Sequence, residues 1–95
     1  MADNEKISEE LSIIIKNIFD GVLPVKKIPI IISLNNEAEL EKISKEIISQ
    51  GNTIDLRLPE PIPIISCSIH AAKIKYLASF SEIKKIEYDG KTYAL

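Results

Sequence analysis

From residue 28 onward, strand-like and helix-like apolar patterns follow one another in an order that few folds can accommodate. Ile28-Pro29-Ile30-Ile31-Ile32-Ser33-Leu34 is a short, strongly β-prone run. Pro29 belongs near its start, where a missing ladder donor is tolerable. Asn36-Glu37-Ala38-Glu39 reads as a capping-box-like helix opening, with Asn36 as cap and Glu39 reaching back. Leu40, Ile43, Ile47 and Ile48 then mark a buried helix face, and Gly51 ends the helix. Thr53 to Leu58 alternates, with Ile54, Leu56 and Leu58 on one side and Thr53, Asp55 and Arg57 on the other, which predicts a half-exposed strand. Pro59-Glu60-Pro61-Ile62-Pro63 breaks the strand and is expected to form a rigid connection, with a Pro-rich recognition ligand as the alternative reading of so short a run. Ile64 to Ile69 is a third strand, with Ile65, Cys67 and Ile69 inward and Ser66, Ser68 and His70 outward. Ala71 to Ser81 is a second helix, burying Ile74, Leu77, Ala78 and Phe80, and Ile83 opens a fourth strand.

The order strand, helix, strand, strand, helix, strand is the ferredoxin-like βαββαβ arrangement, an α+β fold. It predicts an antiparallel four-stranded sheet with both helices on one face and the other face open. Its expected core is Ile30, Ile32, Leu40, Ile43, Ile47, Leu56, Ile65, Cys67, Ile69, Ile74, Leu77 and Ile86. An extra helix is predicted upstream over residues 3–20, where Ile7, Leu11, Ile14, Ile15, Ile18 and Phe19 form one apolar face. Glu5, Glu9 and Glu10 sit early in it, where the helix dipole favours negative charge, and Asp20-Gly21 and Pro24 stop it. The chain thus divides into an N-terminal helix and linker, 1–27, and a ferredoxin-like domain, 28–95. The N-terminal helix is expected to pack over part of the core, with partner binding or self-association as the alternative.

Several function classes are disfavoured. With 12 basic and 14 acidic residues the net charge is −2, so no global electrostatic case for nucleic acid exists, and the strands lack the aromatic pair that an RNA-stacking sheet uses. No apolar run approaches the length of a membrane helix. The N-terminus has no signal-peptide pattern, which predicts a cytoplasmic protein if the chain is complete. One cysteine excludes an internal disulfide; Cys67 falls in the core set and reads as an inert buried thiol. One His and one Cys make no zinc site, and Gly21, Gly51 and Gly90 all fall where elements end rather than in a phosphate-binding loop. Ser68 and His70 share a strand face, but no third group orients a base. No catalytic residue, metal or cofactor is expected.

The C-terminal stretch carries the candidate site. After Ile86 it presents two carboxylates one residue apart, Glu87 and Asp89, then a turn at Asp89-Gly90 and an extended tail, Thr92-Tyr93-Ala94-Leu95. Such a tail can lie along a partner's sheet edge with alternate side chains in pockets.

Residues 28–95 resemble the propeptides of subtilisin-like serine proteases and the free-standing inhibitors related to them. The likeness runs through the apolar first strand, the Glu- and Lys-rich first helix, Pro63-Ile64-Ile65-Ser66 and Ala72-Lys73-Ile74. It is closest at Ile86, Glu87, Asp89, Ala94 and Leu95; the middle position of the acidic cluster, often acidic in the family, is Tyr88 here. The resemblance implies that the open sheet face packs on two surface helices of the protease, with Glu87 and Asp89 at their N-termini. It implies that Thr92, Tyr93, Ala94 and Leu95 run through the substrate cleft as an added strand, Leu95 filling the primary specificity pocket. In a propeptide the same surface acts as a folding chaperone for the protease. The expected function is therefore non-enzymatic inhibition of a subtilisin-like serine protease. The alternative is a ferredoxin-like structural or regulatory module that oligomerises through its N-terminal helix or a sheet edge.

Overall fold

The computed structural model describes residues 3–21 and 27–89. Four strands, β1 (Lys27–Leu34), β2 (Thr53–Leu58), β3 (Ile64–His70) and β4 (Ile83–Tyr88), form one antiparallel sheet in the order β2-β3-β1-β4. Helix α2 (Leu40–Ser49) connects β1 to β2, and α3 (Ala71–Ala78) connects β3 to β4. With the added helix α1 (Glu9–Phe19), this is the expected α+β, ferredoxin-like arrangement.

The core follows from the pleat. Ile28, Ile30, Ile32 and Leu34 of β1, Ile65, Cys67 and Ile69 of β3, and Ile86 of β4 present one face. Against that face lie Leu11 and Ile15 of α1, Ile43 and Ile47 of α2, and Ile74, Leu77 and Ala78 of α3, in a single cluster. Each fully buried Ile or Leu contributes roughly 1.5–3 kcal/mol, which is how a chain with few aromatics assembles a core. The N-terminal helix is thus a packing element, in the same cluster as the sheet.

Its start differs from expectation. Asp3–Lys6 is a 3₁₀ turn, Ile7 forms a parallel bridge with Ile86, and Ser8 donates its N–H to the Ile86 carbonyl at 2.9 Å. The Ser8 hydroxyl accepts from the Leu11 N–H at 3.2 Å and so begins α1 at Glu9. Lys6 Nζ donates to the Phe80 carbonyl at 2.8 Å, tying the N-terminal turn to the end of α3. Phe19, assigned to the buried face, is largely exposed at the end of the helix.

The opening of α2 also differs. A 3₁₀ turn, Glu37–Glu39, precedes it, and the Glu39 N–H goes to the Asn36 carbonyl at 3.2 Å; the Asn36 side chain makes no capping bond. Its end is as expected. Gly51 adopts φ +83°, its N–H meets the Ile48 carbonyl at 3.0 Å, and the Asn52 N–H meets the Ile47 carbonyl at 3.3 Å. This is a Schellman cap, and it requires the left-handed conformation glycine adopts without strain. Ile48 is 60% exposed rather than buried, and Leu40 is partly buried against the core.

The largest departure is in β2. A bulge at Asp55 lies between Ile54, opposite Cys67, and Leu56, opposite Ser66. A bulge adds one residue and reverses the facing of all that follows. Leu56, expected in the core, therefore leaves it, and Leu56 and Leu58 part from Ile54 to stand 48% and 40% exposed on the open face. Arg57 is turned to the helix side, opposite Ile65, where Nη1 lies 3.7 Å from Glu41 Oε1 of α2.

Pro29 occupies a central strand. Its carbonyl accepts the Asp89 N–H at 3.0 Å. The nitrogen of a strand residue points to the same side as its carbonyl, so the missing donor falls at the last rung of β4, where little pairing is lost.

Candidate functional site

The sheet's second face carries no helix among the described residues. Strand register sets its side chains in three rows across the sheet. Thr53, Ser68 and Pro29 make the first, with Asp89 bonded to Pro29 at its end. Leu56, Ser66, Ile31 and Glu87 make the second, and Leu58, Ile64, Ser33 and Lys85 the third. The middle of the face is thus apolar, through half-buried Ile31 and Ile64 and the exposed Leu56 and Leu58, and its β4 margin is charged.

Glu87 and Asp89 fall on that margin together, because strand residues two apart share a face. Glu87 Oε2 lies 3.2 Å from Lys85 Nζ, an exposed pair of little energetic consequence. The Ser66 hydroxyl approaches Asp89 Oδ2 at 3.4 Å, a long contact that spans the width of β1. Tyr88, between the two acids, lies opposite Ile30 and packs partly buried against the core. An apolar side chain at that position therefore has a physical reason: it faces inward, where an acid would be desolvated. The remaining candidate residues, Thr92, Tyr93, Ala94 and Leu95, lie outside the described residues, as does Gly90.

Other candidates resolve simply. Cys67 is 1% exposed, and burial first, with the Asp55 charge second, pushes its thiol up to about 12. Such a thiol is neutral and shielded. Ser68 and His70 share the open face, as their spacing requires. Among the described residues no group of three or more His, Cys, Asp or Glu side chains could hold a metal, and no helix is long and apolar enough to cross a membrane.

The open-face residues that the sequence does not reveal are Leu56, which its alternation places in the core, Leu58, which the alternation places on the same side as Ile54, and Ile31 and Ile64, whose facing it leaves undecided. Ile31 sits inside a continuous apolar run, where only the register with Ser66 and Glu87 decides its side. Comparison of the chain with family models, with curated proteins and with solved structures returns no match in any of the three.

Proposed function

We propose that this chain is a non-enzymatic inhibitor, or an intramolecular-chaperone propeptide, of a subtilisin-like serine protease, bound through its open sheet face and its C-terminal tail. One observation carries the reading. An uncovered face with an apolar centre at Ile31, Ile64, Leu56 and Leu58 has Glu87 and Asp89 on the margin from which the chain runs on into residues 90–95.

The physical roles divide accordingly. The apolar centre supplies area, at about 25 cal/mol per Å² removed from water. Glu87 and Asp89 supply carboxylates suited to the unpaired N–H groups and positive dipole ends of helices, each worth about 0.3–1 kcal/mol, and up to about 2 when partly buried. The tail Thr92-Tyr93-Ala94-Leu95 adds backbone pairing in the cleft and one apolar anchor, Leu95. A folded body holding a short tail makes the tail's binding effectively intramolecular, so a product-like segment stays in place.

The experiment is a titration of the full chain against a panel of subtilisin-like proteases, with trypsin- and chymotrypsin-like enzymes as controls. Inhibition confined to subtilisin-like enzymes, at micromolar concentration or below, is expected. No inhibition anywhere in the panel, together with self-association, hands the function to the oligomerising interaction module.

A further inference from the structure

We infer that the outer edge of β2 is a self-pairing edge, joining two copies of the chain antiparallel about Leu56. This goes beyond the protease reading and does not rest on it.

The two edges of the sheet are treated differently. The outer side of β4 is engaged at Ile86, by the bridge to Ile7 and by the Ser8 N–H on the Ile86 carbonyl. The outer side of β2 has no strand beyond it among the described residues. An open edge exposes a row of unpaired backbone donors and acceptors, a template for a further strand.

The sequence along that edge matches itself. In Ile54-Asp55-Leu56-Arg57-Leu58, antiparallel pairing centred on Leu56 sets Leu56 against Leu56. It sets Asp55 of each copy against Arg57 of the second copy, and two-fold symmetry makes that ion pair twice. Both charged groups border α2: Arg57 reaches Glu41, and Asp55 lines one groove with Arg57 and with Glu41 and Ile48 of that helix. The bulge thus puts the two partners of each cross-copy pair on one side.

Charges and a bulge on an edge strand usually hinder promiscuous pairing. Here they leave one matched register. A foreign strand would have to bring a basic and an acidic residue at the right spacing; a second copy supplies both. The Arg57–Glu41 pair does not compete strongly, being 3.7 Å long between side chains 49% and 69% exposed. A groove of about 410 Å³ lies along the same edge, lined by Glu41, Ile48, Ile54, Asp55, Leu56 and Arg57. Its exposed Ile48 and Leu56 give the seam apolar area. A two-fold axis between antiparallel strands runs perpendicular to the sheet, so both open faces end on the same side of the assembly and stay uncovered.

Sedimentation equilibrium of the full chain, from about 5 to about 500 µM, tests this. A monomer–dimer equilibrium is expected. Arg57→Asp and Asp55→Arg each replace two attractive cross-strand pairs by two repulsive ones and should each weaken the dimer roughly tenfold or more. Mixing the two variants restores both pairs in a heterodimer and should recover wild-type association. The double swap, Asp55→Arg with Arg57→Asp, should dimerise with itself. Circular dichroism of each variant confirms folding, and the mixing arm also guards against a folding artefact, since misfolded chains do not rescue one another. A wild-type chain monomeric throughout the range overturns the inference. So does a dimer indifferent to both single variants, or loss of protease inhibition in the variants of a strictly monomeric chain, which makes the edge a protease contact.

Discussion

Cys67 lies directly across from Ile30 on one side and from Ile54 on the other, which puts its thiol among the side chains that join the sheet to α2 and α3. With the thiol pushed up from 9.0 to about 12, mainly by burial, the folded state holds its proton where the unfolded state has released it. Between those values the unfolded chain binds fewer protons, so this group makes unfolding easier as pH rises above about 9. The native protein is expected to be inert to a thiol-reactive disulfide at pH 8 and to react fully in denaturant. Fast labelling of the native state would place Cys67 outside the core.

Ile30 and Ile31 are neighbours with opposite duties. Ile30 is fully buried on the helix side, and Ile31 stands on the open face between Ser66 and Glu87. Ile30→Ala should cost about 2–5 kcal/mol of stability through the cavity it leaves. Ile31→Ser should cost clearly less, yet weaken protease inhibition by about tenfold, or ~1.4 kcal/mol. Urea unfolding and inhibition constants for both variants check the division. Equal destabilisation with unchanged inhibition would remove the open face from the binding surface.

Lys42 and Glu82 tie α2 to the turn before β4 through a hydrogen-bonded ion pair. The bond to Lys42 holds the Glu82 carboxyl below its ordinary 4.5, and the bond to Glu82 holds the Lys42 ammonium above its ordinary 10.5. The signs follow from linkage. Glu82, with a depressed value, contributes stability that is present above about 4.5 and is lost as pH falls through its folded value. Lys42, with a raised value, contributes below about 10.5 and stops contributing as pH rises through its folded value. Lys42→Met should therefore lower the melting temperature at pH 7 and make little difference at pH 2.5. A gap of equal size at both pH values would show that the pair carries no stabilisation.

The fold was legible because the signals that set it are local. Gly51 could end α2 only by adopting positive φ, and the alternation in β3 held without interruption. The facing of β2 was not legible. Its strict alternation of Ile54, Leu56 and Leu58 implies one apolar side, but the bulge at Asp55 divides them. A bulge is fixed by how β2 meets β3 across the sheet, and no residue in β2 announces it. For the same reason the two acids were found by their spacing alone, while the apolar centre beside them appeared only once the register was known.

Glu87 and Asp89 were placed on one margin by that spacing, and charge removal tests whether the margin matters. Glu87→Gln with Asp89→Asn keeps shape and hydrogen-bonding capacity while discarding both charges. Inhibition of a subtilisin-like protease should weaken about 5- to 30-fold, equivalent to roughly 1–2 kcal/mol. The loss should shrink at high salt, where exposed charges are screened. An inhibition constant unchanged at low salt would count against carboxylates at helix ends.

Deleting Tyr93-Ala94-Leu95 separates the body's contribution from the tail's. Among the described residues the buried cluster runs from Ile7 to Ile86 and the Asp89 N–H meets the Pro29 carbonyl, so a core already forms from residues that all precede these three. The melting temperature is expected to change little. A Leu anchor supplies about 1.5–3 kcal/mol on burial, and strand-like backbone bonds add to it. Inhibition should therefore fall by at least about 100-fold, close to 3 kcal/mol. Leu95→Asp in the intact chain should do comparable damage by setting a charge in an apolar pocket. Inhibition constants and thermal unfolding of the three chains decide the matter together. If truncation melts the domain, and the intact chain inhibits no subtilisin-like protease at micromolar concentration, the tail belongs to the fold and not to a partner.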